Sequence, residues 1–186
     1  MRFGIALLIC YMAGTFGQPH FLQEGAQRKE ANKSSVRDQL VGAWRLVSVE
    51  TTRANGEVIY PFYGKHPEGL LIYDLSGWMS VQIVSDPQPT LPVTSSREGF
   101  LAAAPAEKIS AVDSYYSYFG TWTLDASGST VTHQIRNSLY PGERGEQGAR
   151  QVTLAGNRLT LVAKAHEMGE DHQRRLVWER VTPVLH

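Results

Sequence analysis

The sequence predicts an all-β domain, an antiparallel up-and-down barrel or a sandwich, behind an N-terminal leader. Three observations lead there. From Gly42 onward, short segments rich in Val, Ile, Leu, Thr and aromatic residues follow one another with turn signals between them. No segment sustains the apolar spacing of a long helix. The only cysteine, Cys10, lies in the leader. The domain therefore has no disulfide, no thiolate metal site and no cysteine nucleophile, and it must be held by its core and strand pairing. About eight strands, closed on themselves, would leave no exposed edge and an interior that holds side chains or one small ligand.

Residues 1–17 carry the tripartite pattern of a secretory signal peptide. Arg2 supplies a positive start, an apolar run contains Ile5, Leu7, Leu8 and Ile9, and small residues follow at Gly14, Thr15 and Gly17. The run is well short of the ~20 residues that span a bilayer, so stable membrane insertion is not expected. The mature protein is expected to be secreted or periplasmic. Residues 18–35 are polar and charged and read as a flexible linker. Asn32 begins a glycosylation sequon within it. The domain proper is expected over 36–186.

Ser35 can cap a short helical turn through Leu40. In the first strand, from Gly42 to Thr52, alternation sets Trp44, Leu46 and Ser48 on one face and Val47, Val49 and Thr51 on the other. Asn55-Gly56 suits a two-residue hairpin because both positions tolerate positive φ, and Val58 to Phe62 is the expected return strand. Gly69 to Asp74 and Trp78 to Ser85 form a second hairpin around Ser76-Gly77. Between Asp86 and Ala106 four prolines exclude a strand, and a long insertion of this kind reads as a binding loop or lid. Pro105 suits the first position of one short helix, Ala106 to Val112. Strands then follow at Tyr115–Asp125, Thr130–Leu139, Arg150–Leu154, Arg158–Ala165 and Arg174–Val181.

Eighteen lysines and arginines balance eighteen acidic residues. A chain without excess positive charge lacks the electrostatic footprint of a nucleic-acid binder. No nucleophile elbow, Walker loop, dinucleotide fingerprint or H-E-x-x-H is found, so no cofactor or metal is expected. His166 and His172 flank acidic residues on a hairpin tip, which reads as a solvated loop.

Gly42-Ala43-Trp44, following a short helical turn, matches the G-x-W signature of lipocalins and other calycins. Leu40 to Ser48 resembles the opening of the lipocalin-like domain family of bacteria and fungi. Tyr60-Pro61-Phe62, Gly69 to Tyr73, Gly77 to Gln82, Tyr118-Phe119-Gly120, Val131-Thr132-His133 and Leu176 to Arg180 resemble its later blocks in the same order. The resemblance implies a closed barrel that binds a small hydrophobic molecule. It also implies that Trp44 plugs one end of the barrel beneath a basic residue of the last strand. Arg180 is the candidate, since alternation puts Arg175 on the opposite face.

The candidate ligand-binding residues are Tyr60, Phe62, Tyr73, Gln82, Tyr118, Trp122, His133 and Asn137. His133 shares a strand face with Val131 and Ile135 and should point inward with them. Related barrels, such as allene oxide cyclases and spirotetronate cyclases, catalyse cyclisations without a cofactor. On that alternative His133, Tyr118 and Tyr73 are the candidate catalytic groups, acting by orientation and hydrogen bonding.

Overall fold

The computed structural model describes residues 36–60, 62–88, 96–167 and 169–182, and the expected leader, linker and sequon lie outside them. Nine strands are formed: β1 (Gly42–Arg53), β2 (Val58–Ile59), β3 (Glu68–Tyr73), β4 (Trp78–Val84), β5 (Tyr115–Leu124), β6 (Thr130–Ser138), β7 (Gln147–Ala155), β8 (Arg158–Glu167) and β9 (Glu170–Arg180). A helical turn over 36–40, α1, precedes them, and α2 (Arg97–Ala102) and α3 (Pro105–Asp113) lie between β4 and β5. Consecutive strands from β3 to β9 pair antiparallel, β1 pairs with β3, and β9 returns to β1. The result is a closed eight-stranded up-and-down barrel with β2 attached to the far end of β1. A sandwich is thereby excluded.

Strand alternation accounts for most of the core. Leu71 and Tyr73, then Met79, Val81 and Ile83, then Tyr118 and Trp122, then Val131, His133 and Ile135 all face inward and are buried. In β1 the alternation breaks. A bulge between Leu46 and Ser48, against Trp178 and Val177 of β9, gives the strand one extra residue. Trp44 and Leu46 are therefore followed inward by Val49 and Thr51 rather than by Ser48, which corrects the face expected from strict period two.

One end of the barrel is closed. Trp44 is fully buried and donates its indole N–H to Leu40 O of α1 at 2.9 Å. The Arg180 guanidinium stands 4.1 Å from the Trp44 ring centroid and donates to Val41 O at 2.9 Å and to Gln39 O. Arg175 instead bridges Glu50 on the outer surface at 3.2 Å. From α1, Arg37 lies 4.3 Å over the ring of Trp122. Two cation–π contacts, each worth roughly 0.5–2 kcal/mol where desolvated, thus fasten this end.

Several segments depart from expectation. β7 begins at Gln147 and β9 at Glu170, both earlier than expected, so the solvated tip is shorter and His172 is buried within β9. The return strand after Asn55-Gly56 stops at Ile59 instead of reaching Phe62, which adopts a positive φ of 68°. The proline-rich segment carries a second helix, α2, N-capped by the Ser96 hydroxyl, which accepts from Gly99 N at 2.9 Å. Pro105 opens α3, and Glu107 closes its first turn by accepting from Ala104 N. Trp78 and Phe119, outward on β4 and β5, are exposed.

Candidate functional site

A hollow arises where the wall side chains shrink. Along the inward face of β8, Leu159 and Leu161 near the closed end give way to Ala163 and Ala165 toward the other. In the same half of the molecule β7 and β8 part. Their pairing runs from Ala155–Arg158 only as far as Gln151–Val162, so 147–150 and 163–167 have no ladder between them. Behind the parted strands lies a cavity of about 90 Å³ whose apolar wall includes Leu71, Val81, Ile83, Leu161 and Leu176. Outside them is an open cleft of about 600 Å³, and Tyr116, Arg150, Ala163, Ala165 and Arg174 border both spaces. A further depression of about 630 Å³, around Thr52, Arg53 and the β8–β9 tip, opens to solvent. It holds none of the buried aromatic hydroxyls and lacks the character of a small-molecule site.

Three inward side chains from β3, β5 and β6 converge. The Tyr73 hydroxyl meets His133 Nε2 at 2.5 Å, and the Tyr118 hydroxyl meets His133 Nδ1 at 2.8 Å. All three are buried, His133 with 1% exposure. Burial, reinforced by the Arg150 charge, holds the imidazole well below its ordinary pKa, so it is neutral. Burial likewise raises both phenols, Tyr73 strongly, so they keep their protons. A neutral imidazole carries one N–H, so one phenol donates to the ring and the other accepts from it. Tyr118 and His133 reach the cavity wall and Tyr73 lies behind them. The satisfied arrangement has Tyr73 donating to Nε2 and Nδ1–H donating to Tyr118. The Tyr118 proton is then not used by the imidazole, and Tyr118 lines the cavity. The opposite tautomer would strand the Tyr73 proton in the interior, at a cost of about 1–3 kcal/mol.

Two cations complete the wall. Arg150, inward on β7, donates to Gly148 O at 2.8 Å, and its guanidinium lies 6.0 Å from the Tyr118 ring. Arg174 borders the cavity from β9, 5.9 Å from the ring of Phe62. Tyr116 turns its hydroxyl outward to Glu143, at 3.0 and 2.9 Å from the two carboxylate oxygens, and Ser138 donates to the same carboxylate.

Of the residues expected at the site, Tyr118 and His133 line the cavity and Tyr73 supports them. Trp122 is buried nearer the closed end, its indole donating to Asp74 O at 3.0 Å and its ring 4.8 Å from that of Tyr73. Gln82 and Asn137 sit on outward positions, Asn137 accepting from Arg144. Tyr60 and Phe62 are exposed, because β2 ends before them and the chain turns. The aromatic residue delivered inward from that segment is Tyr63, which no alternation pattern indicated. Its carbonyl accepts from Asp86 N at 2.9 Å, and Gly64, with φ 75°, packs where a Cβ would lie 1.9 Å from Asp86 O. Arg174 was also missed, and Arg150, a strand polar group that the pattern left open to solvent, faces the cavity. A charged residue inside a strand reads as solvent-facing unless the parting of the strands is known.

Among the described residues no helix is long and apolar enough to cross a membrane. No curated protein matches the chain. The family model for a lipocalin-like domain matches residues 41–181, a span running from the residue before the first strand to the residue after the last. With that match over most of its length, and a closed eight-stranded barrel around a cavity, the chain belongs to the lipocalin-like domain family.

Proposed function

We propose that this protein is an exported carrier or receptor for a small, largely apolar molecule held inside the barrel. The observation that carries the reading is the cavity lined by Tyr118 and His133, apolar over much of its wall with a few polar groups among them. At about 90 Å³ it falls below the ~300–1,000 Å³ typical of drug-sized ligands. The guest is therefore compact, or it extends between β7 and β8 into the outer cleft. Burying about 200 Å² of apolar ligand surface gains about 5 kcal/mol gross. Association costs of at least about 4 kcal/mol leave about 1 kcal/mol of this, far weaker than millimolar, so the polar wall must supply the rest.

The Tyr73–His133–Tyr118 chain favours one second reading, a cofactor-independent cyclase or isomerase using the same cavity. A neutral imidazole between two phenols can orient a substrate and pass a proton through Tyr118.

Native mass spectrometry of the protein purified from its source cells tests the first reading. A noncovalent adduct on the wild type that is absent from Ala163→Phe, a variant filling the narrow part of the hollow, is the expected result. An adduct carried equally by both, or by neither, contradicts it. Chromatography of the released molecule tests the second, which requires a ligand added as one isomer to be recovered as another.

A further inference from the structure

Along one stretch of the wall, β7 and β8 face each other without a ladder, and the register shows which backbone groups point into that gap. In an antiparallel sheet each residue sends its N–H and C=O to the same neighbouring strand, and successive residues alternate between neighbours. Val152 N donates to Ser129 O at 2.8 Å, so the even-numbered residues of β7 bond toward β6. Gln147 and Ala149 therefore direct both groups toward β8. Arg180 N donates to Asn157 O at 2.8 Å, so the odd-numbered residues of β8 bond toward β9. Lys164 and His166 therefore direct both groups toward β7. The ladder between the two strands stops at Gln151–Val162, short of all of them.

The side chains beside the gap are short. Gly148 and Ala149 on β7, with Ala163 and Ala165 on β8, line the outer cleft of about 600 Å³. A strand of four residues, at ~3.3 Å per residue, ~4.8 Å between strands and ~10 Å of sheet thickness, takes up roughly the same volume. An extended polypeptide is also the ligand that carries donors and acceptors to both sides at the strand repeat.

We propose that an extended segment of a partner protein inserts between β7 and β8 as an added strand. Its backbone pairs with Gln147 and Ala149 on one side and with Lys164 and His166 on the other. The side chains of such a strand alternate: those facing inward meet Ala163 and Ala165, and those facing outward lie beside exposed Lys164. Small apolar residues alternating with polar or acidic ones therefore fit. The inference goes beyond the small-molecule reading, since the added strand closes the wall beside the cavity and leaves the cavity to its own guest.

Titration of the isotope-labelled full chain with acetyl-Thr-Val-Glu-Val-Thr-amide, followed by amide shifts and hydrogen exchange, tests this. Saturable binding with slowed exchange at the amides of Gln147, Ala149, Lys164 and His166 is expected. The same peptide N-methylated at its central residues keeps the side chains but lacks the donors, and it is expected to bind at least about tenfold more weakly. Ala149→Pro, which removes a donor facing the gap and no bond to β6, is expected to weaken the unmethylated peptide likewise. No binding, equal binding of the methylated peptide, or binding without protection at those amides would overturn the proposal. Protection there before peptide is added would overturn it as well, because the gap would then be filled by the chain itself or by a second copy. The small-molecule reading keeps its own test, so the two fail separately.

Discussion

At the residue scale, the chemistry of the interior turns on His133. Its neutral state is imposed by burial between Tyr73 and Tyr118, and an unfolded chain imposes no such restraint. The folded pKa is depressed, so below the ordinary value near 6.5 the unfolded state binds a proton that the native state refuses. Stability is therefore full above that value and declines as pH falls through it. Between pH 7.5 and 5.5 the loss from this residue is expected to be on the order of 1 kcal/mol. Urea denaturation of wild type and His133→Gln at the two pH values checks it, and the variant should show that much less pH dependence. Identical dependence would mean that His133 ionises as freely in the fold as in the coil. The convergence of Tyr73, Tyr118 and His133 was legible in the sequence because each lies within a regular strand whose alternation is unbroken around it. Arg150 and Trp178 were not legible as site groups, since alternation gives a direction and no neighbour.

At the element scale, irregularities decide which faces meet. The β1 bulge turns Val49 and Thr51 inward, and no residue type near Val47 announces it. A second bulge, between β5 and β6 at Phe119–Gly120, is written in composition. A Cβ at Gly120 would lie 1.9 Å from Gln134 O, so only glycine lets the strands approach there. Gly120→Ala is expected to destabilise by at least the ~1–3 kcal/mol of overpacking. Gly142→Ala, where nothing lies within 4 Å of an added Cβ, should stay within about 0.5 kcal/mol of wild type. Thermal and urea denaturation compare the two. Equal costs would show that the bulge relaxes freely. The early end of β2 moved Tyr60 and Phe62 to the surface and brought in Tyr63. Strand ends set by a turn against Asp86, far along the chain, lie beyond what local pattern can reach.

On the scale of the whole molecule, the barrel is unevenly built. Trp44, Arg180, Arg37 and Trp122 tie one end shut, while toward the other the inward residues of β8 are alanines and the ladder between β7 and β8 ends. Such a division suits a binding fold, with a closed base and a gap in the wall beside the cavity. The barrel class and its closed end followed from strand count, turn spacing and the opening motif. The size of the hollow did not, because it depends on how far β7 and β8 stay paired and on which side chains shrink opposite them. A guest in that hollow must touch Tyr118 and Trp178 together. Isotope-filtered nuclear Overhauser contacts between bound octan-1-ol and labelled protein locate it directly. Contacts from the ligand chain to the Tyr118 ring and the Trp178 indole are predicted. Contacts confined to the open depression at Thr52, Ala54 and Gln173 would contradict the account.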